Sequence, residues 1–399
     1  MTQGTTMKTP VAMLAAAGLL VLPALPAAAE TSTPEPPPAA LAQTAADESP
    51  TERPFQLGWS GYLRGGYEWV QNDPDFDQVG ENSGFVLQTA RIQIDGAAED
   101  HGFSFRISMD AADVQDRALN NPMGQLDVSL RDGWLRQELH PTVGLQVGQF
   151  KAPFLADELV ARHDQMFASR AVGTEGVLPG RGLERRGIAQ GRQLGAMFSP
   201  AEPIRFGDFG VAYALAVMNG NGANRTVNDN NSLAYYGRLE LLYDDMVRLG
   251  ASVLHNQRRI GDLPNRFDET DFGLAADLQV RVEGLLLQGQ FARITRSLDT
   301  LGAEDEEKLA WHVQARYLLD MLPVHIAPGY RLAFYDPRAD LEDASAGPAD
   351  FGLLYHTVGL QLHHPALPVS ADINYTLTME DDAAALDNDR FELILQVLF

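Results

Sequence analysis

From Phe55 to its last residue the chain alternates between apolar and polar positions. Trp59, Leu63, Tyr67 and Trp69 share one parity, with Gly61 and Gly65 between them, while Ser60, Arg64 and Glu68 share the other. Phe103, Phe105, Ile107 and Met109 alternate with Ser104, Arg106, Ser108 and Asp110. Phe272, Leu274, Ala276, Leu278 and Val280 alternate with Asp271, Asp277, Gln279 and Arg281. Ile373, Tyr375 and Leu377 alternate with Asp372, Asn374, Thr376 and Thr378, and Phe391, Leu393, Leu395, Val397 and Phe399 with Arg390, Glu392 and Gln396. A period of two places successive side chains on opposite faces of a strand, one apolar and one polar.

Sixteen such segments can be read, over 55–71, 84–97, 102–111, 125–138, 142–150, 191–199, 208–218, 233–243, 247–256, 270–281, 284–294, 309–318, 323–335, 351–363, 368–378 and 389–399. The connections alternate strictly between short and long, with long ones near 72–83, 112–124, 151–190, 219–232, 257–269, 295–308, 336–350 and 379–388. An even-stranded barrel with both termini on one side of a membrane requires that alternation. A soluble β-sandwich shares the period, but its core could not hold the charges on the polar face, whereas a water-filled lumen can. The pattern therefore predicts an all-β protein: a transmembrane antiparallel up-and-down barrel of sixteen strands over 55–399. Trp59, Trp69, Trp134, Tyr213, Tyr243, Trp311, Tyr317, Tyr330 and Phe399 fall at strand ends, where aromatic girdles would meet the two membrane interfaces.

The first residues read as targeting. Lys8 supplies a positive start, Val11 to Leu25 is apolar, and Ala27-Ala28-Ala29 forms a small-residue cleavage site before Glu30. Residues 1–29 are thus expected to be a signal peptide, beginning at Met1 or Met7, and residues 30–54 a disordered Pro-rich periplasmic lead-in. Beyond Ala29 no apolar run reaches the roughly 18 residues of a membrane helix, so any membrane role falls to strands. The expected location is the bacterial outer membrane, among lipid and lipopolysaccharide.

The net charge of −24 argues against nucleic acid as a partner, and the chain has no cysteine. Enzyme signatures are missing. Gly58-Trp59-Ser60-Gly61 lacks the spacing of a nucleophile elbow, and Gly220-Asn221-Gly222-Ala223-Asn224 lacks the third glycine of a dinucleotide site. His363-His364 sits at a short turn, and the acids at 73–77 read first as solvated loop residues, so no cofactor or metal is expected. No catalytic Ser/His/acid set can be assembled on one barrel face, although an outer-membrane barrel enzyme stays a rival class.

The longest connection, 151–190, concentrates positive charge. It carries Lys151, Arg162, Arg170, Arg181, Arg185 and Arg186 against Asp157, Glu158, Asp164, Glu175 and Glu184, with a short helix expected at 155–168. The other loops are acidic, including Asp73, Asp75, Asp77, Glu81, Glu304 to Glu307 and Glu380 to Asp382. These cations are candidates for a pore constriction that binds solute. Lumen-facing cations are expected at Arg64, Arg91, Arg106, Arg238, Arg281, Arg316, Arg331 and Arg390. Lumen acids are expected at Glu68, Asp95, Asp110, Asp127, Glu240, Asp277, Asp372 and Glu392, many to be paired across neighbouring strands.

Residues 58–200 resemble the phosphate-selective porin O and P type family. Phe85 to Asp95 (FVLQTARIQID) is similar to an early strand of that family, and Leu130 to Leu139 (LRDGWLRQEL) followed by Val143 to Phe154 (VGLQVGQFKAPF) is similar to its most recognisable segment. The resemblance implies an outer-membrane porin, a homotrimer, and an inward-folded third external loop. It also implies an arginine- and lysine-lined passage for small hydrophilic solutes, with anions such as phosphate as the first expectation. The acidic charge of the chain departs from that picture. A weakly selective or cation-preferring porin, and a structural or surface-binding barrel plugged by 151–190, stay open. Phe399, closing an apolar stripe, resembles the terminal signal read by the barrel-assembly machinery.

Overall fold

The computed structural model describes residues 55–112, 128–178, 180–261, 266–299, 304–321, 324–341, 347, 349–380 and 385–399. The expected signal peptide, the lead-in over 30–54 and the lumen acid expected at Asp127 lie outside the described residues. Among them sixteen strands build one sheet: β1 (Gln56–Val70), β2 (Gly84–Ala98), β3 (Phe103–Asp110), β4 (Ser129–His140), β5 (Val143–Lys151), β6 (Arg192–Ser199, resuming at Ile204–Phe206), β7 (Phe209–Met218) and β8 (Ala234–Tyr243). The second half comprises β9 (Val247–Ile260), β10 (Phe267–Val282), β11 (Leu285–Leu298), β12 (Glu306–Tyr317, resuming at Leu319–Met321), β13 (Val324–Asp336), β14 (Leu353–His363), β15 (Val369–Glu380) and β16 (Arg390–Leu398).

Each strand pairs antiparallel with the next, and β16 returns to β1, with Arg64 opposite Gln396 and Val70 opposite Arg390. No edge is left, so the ladder satisfies the backbone where water is absent. All sixteen expected strands are present. β9 and β11 run four residues beyond their expected ends at 256 and 294, because the cross-strand ion pairs Arg258–Glu269 and Arg296–Asp271 carry the ladder past the apolar rows.

The two faces separate as the alternation predicts. Exposed apolar side chains include Leu57, Trp59, Leu63, Tyr67 and Trp69 on β1 and Phe272, Leu274 and Leu278 on β10. Buried at the opposite parity are Arg64 and Glu68, and Asp271 and Asp277. Aromatic pairs decorate the outer face: Trp59 with Phe399, ring centroids 6.1 Å apart, Phe209 with Tyr243 at 5.1 Å, and Trp311 stacked on Phe334 at 5.8 Å.

Trp134, expected in a girdle, is a correction. Arg106 lies directly opposite it, with its guanidinium over the indole at 5.6 Å, and the ring packs on the interior apolar cluster. The cause is a bulge: between Ser108 and Met109 the register skips Arg131 on β4. One extra residue exchanges the faces of everything beyond it, so Leu130 points outward and Trp134, at the same sequence parity, points inward.

The buried apolar cluster lies on the inner face. Phe150, Ala152, Phe154, Leu155, Ala171, Val172, Val177 and Ile188 meet Ala216, Ala234, Ala275, Ala292, Ala310 and Ala333, together with Tyr236, Leu254, Tyr335 and Tyr355. Ala275 is opposite Ala292, and Ala292 opposite Ala310. A row of methyl-sized side chains leaves depth along one wall; Ala171 and Val172 belong to the same cluster, and Gly173 lies against the Ala310 methyl.

Candidate functional site: the lumen and the segment between β5 and β6

The segment is tied at its root. The Ala152 N–H donates to the Gly191 carbonyl at 3.0 Å, closing the two chain ends. Lys151 Nζ donates to the carbonyls of Glu158, Leu159 and Val160 at 2.6, 3.1 and 3.0 Å. The Glu158 carboxylate accepts the N–H groups of Gln190 and Gly191 at 2.9 and 2.6 Å. Burial pushes the Glu158 carboxyl above its ordinary range, against the lowering effect of these N–H donors and of Lys151.

The helix expected at 155–168 is shorter than that. It is one turn, α1 (Ala156–Leu159), followed by extended Val160 and Ala161 and a 3-10 turn at Arg162–Asp164, and a second one-turn helix, α2 (Val172–Glu175), comes later. The reason is chemical. The last carbonyls of a helix need donors, and the Lys151 ammonium takes three of them at once where a longer helix would have used its own N–H groups.

The candidate constriction cations are mostly occupied by partners within the barrel. Arg162 pairs with Glu175 at 2.6 Å. Arg181 meets the Glu68 carboxylate through two bonds of 2.7 and 2.6 Å and stands 3.5 Å from Glu392. Arg185 lies 3.8 Å from Glu380. Arg170 is held by the carbonyls of Asp157 and Val160, and Arg186 is exposed. Burial lowers the Glu175 carboxyl's readiness to ionise, yet Arg162, Arg181 and Arg170 bring it down to about 2. Burial lowers Arg170 to about 10 despite Asp157 beside it.

The wall cations form the other half of these contacts. Arg64, fully buried, donates to Gln396 on the adjacent β16 at 2.9 Å, to Asp372 on β15 at 3.1 Å, and to the carbonyls of Arg162 and Ala168 at 2.8 and 3.2 Å. Arg331 donates to the Ser169 carbonyl at 2.8 Å and stands 4.7 Å over the Phe167 ring. Phe167 itself rests on Gly329 and Gly359, which a side chain would fill. Ser169 Oγ donates to Glu392 at 2.6 Å. Arg91 pairs with Asp110 at 2.9 Å, Arg106 with Asp95 at 2.7 Å, and Arg390 with Glu392 at 3.3 Å. Arg238 grips Asp277 through bonds of 2.7 and 2.9 Å and Glu240 at 2.8 Å. Arg316 donates to the Gln361 amide, and Arg281 is exposed.

A cavity of about 190 Å³ separates α1 from the wall of β8 to β12. It is lined by Ala156, Asp157, Leu159 and Val160 on one side and by Glu240, Gln279, Gln288, Gln290 and His312 among others on the wall. Gln288, Gln290 and the inward alanines were not singled out from the sequence, and Glu158 and Gln279 were named there without a role at a site. Their common signal is parity: Gln279 shares the face of Asp277, and Ala275 stands two residues before it.

A closed sheet of sixteen strands with a charged inner face and an apolar outer face defines a transmembrane β-barrel of the outer-membrane type. Residues 62–247 match the family described as Phosphate-selective porin O and P, which carries the resemblance read from the sequence. Similar solved structures include an anion-selective porin from Comamonas acidovorans, 12% identical over 86% of this chain and 100% of that one, with a TM-score of 0.60. The outer membrane channel DcaP of Acinetobacter baumannii is 14% identical over 88% and 99%, with a TM-score of 0.59. OmpT of Vibrio cholerae, in its trimer form, is 10% identical over 86% and 99%, with a TM-score of 0.57. A comparison with curated proteins gives no match. Identities this low carry the fold alone.

Proposed function

We propose that this barrel lets small hydrophilic solutes cross the bacterial outer membrane by passive diffusion, with a mild preference for anions, phosphate among them. The supporting observation is an asymmetry inside the barrel. Glu68, Asp95, Asp110, Asp277, Asp372 and Glu392 each lie within 4.0 Å of a guanidinium. Lys151, Arg170, Arg316 and Arg331 are instead held by neutral oxygens. On the wall these carboxylates are cancelled by guanidiniums while Arg316 and Arg331 are held by neutral oxygens, which favours anions in a confined wet passage. Within the segment Asp157 and Glu158 offset Arg170 and Lys151. In this reading residues 152–190 fold into the lumen and narrow it. The chain is a channel and not an enzyme, is exported by its signal peptide, assembles as a homotrimer, and uses Phe399 in recognition by the barrel-assembly machinery.

One observation favours a second reading. The segment is tied to β1, β13 and β16 through Arg64, Arg331, Glu68 and Glu392, and a rigid segment of this kind could plug the barrel. Planar-bilayer recording under a salt gradient separates the readings. The expected result is stepwise conductance with a reversal potential on the anion side. A cation-side potential overturns the preference, and absence of conductance from folded protein overturns the passage.

A further inference from the structure

Three glutamines form one row across the inner wall; Gln279 and Gln288 line the cavity, and Gln314 lies beyond it. Gln279 on β10 is opposite Gln288 on β11, and Gln288 is opposite Gln314 on β12. Their amides join head to tail: Gln314 Nε2 donates to Gln288 Oε1 at 2.7 Å, and Gln288 Nε2 donates to Gln279 Oε1 at 2.7 Å. Such a chain has one free NH₂ end and one free carbonyl end whichever way it runs. Gln290, two residues along β11 from Gln288, accepts the Asp157 N–H at 2.9 Å and keeps its own NH₂.

Most of the charges around the same cavity are already paired. Arg238 is taken by Asp277 and Glu240, and Arg248 stands 3.8 Å from Glu240. Asp157 accepts the Ala171 N–H at 3.3 Å. With three carboxylates against two guanidiniums on the lining, an anion meets a surplus of its own sign. A cation meets Asp277 and Glu240 already gripped by guanidiniums, and Asp157 held by a backbone N–H. The open donors on the lining are the glutamine amides, which are neutral. Facing the amide row, Ala156, Leu159 and Val160 offer an apolar ridge.

Resting on the reading of the lumen as a solute passage, we propose that this cavity is a subsite for a neutral polyhydroxylated solute of monosaccharide size. A hydroxyl both donates and accepts, so a run of hydroxyls can bridge the amides of Gln279, Gln288 and Gln290, which line the cavity. The C–H face of a pyranose matches the α1 ridge. A volume of about 190 Å³ equals about six waters at their share of the liquid, which a single hexose can replace.

The test uses the full chain folded in detergent micelles, with saturation-transfer NMR of D-glucose, inorganic phosphate as competitor, and heat-modifiable gel mobility to confirm the barrel. The expected result is saturable glucose contact that equal phosphate does not displace. It should weaken at least fivefold in Gln288→Leu, which cuts the row at its centre, and in Gln279→Met, which changes only its end. Absence of a glucose signal, an undiminished signal in both folded variants, or displacement by phosphate overturns the proposal. Binding in micelles does not depend on conduction. A barrel that binds glucose but passes no current defeats the passage alone, and one that conducts but ignores glucose defeats the subsite alone.

Discussion

Gly61 and Phe399 close the barrel against each other. The Gly61 N–H donates to the Phe399 carbonyl at 2.8 Å, and the Phe399 N–H returns to the Gly61 carbonyl at 2.9 Å. The phenyl ring lies over Gly61, so that a Cβ there would stand 2.6 Å from the ring and 2.5 Å from the Arg91 carbonyl. An aromatic ring covering a strand glycine is a device that holds register. Gly61→Val should therefore destabilise the folded barrel by roughly 1–3 kcal/mol, the ordinary cost of overpacking. Urea unfolding in micelles measures it, and an unchanged midpoint would refute the tight seam. Phe399→Ala leaves room at Gly61 and should refold nearly as well in micelles, while assembling poorly in cells if the terminal aromatic is the assembly signal.

Arg181 joins the segment to the wall, since it binds Glu68 through two bonds and stands 3.5 Å from Glu392. Arg181→Gln leaves two buried carboxylates without this cation, a loss on the order of 3–5 kcal/mol for a broken buried pair. The reversal potential should move toward cations, and proteases should cut within 152–190. Arg316→Gln, which breaks only a bond to Gln361, should reduce anion preference without exposing the segment. Equal protease sensitivity in both variants would show that Arg181 is not what fastens it.

The sixteen strands were legible because period two survives wherever one face meets lipid and the other water. Parity failed at Trp134, where the bulge at Arg131 reversed it, and a bulge leaves no local mark in composition. The positions of the segment's cations were legible, but their partners were not: Glu68 lies 113 residues from Arg181, and only the closed sheet brings them together. The glutamine row is hidden for the same reason, since three glutamines 9 and 26 residues apart become a ladder only in this register.

Glu175 makes the segment sensitive to acid. Its carboxyl titrates at about 2 in the folded barrel, against 4.5 ordinarily. The folded value is the lower one, so the stabilisation is complete above about pH 4.5 and is lost as pH falls through about 2; its size is about 3 kcal/mol. Pepsin cleavage within 152–190 should rise across that window in the natural chain. Glu175→Gln should be cut more readily above pH 4.5 and show no further rise from this group. A natural chain whose cleavage does not change between pH 4.5 and 2 would refute the role of the Arg162–Glu175 pair.

The inward alanines make room for the segment at α2. Gly173 in α2 sits directly against the Ala310 methyl, too close for a side chain on either residue to grow. Ala310 is on β12 beside Ala292 on β11, and both are buried. Ala310→Leu keeps an apolar residue on the wall but removes the depth that α2 occupies. The strand ladder uses backbone groups only, so the barrel should still form and keep its heat-modifiable mobility. The segment should be pushed off its seat, and overpacking against it should cost roughly 1–3 kcal/mol. If 152–190 narrows the passage, open-channel conductance should rise at least twofold and glucose contact at the glutamine row should fall, because α1 forms the opposite wall of that cavity. A folded Ala310→Leu barrel with unchanged conductance would mean that the segment's position does not limit flow.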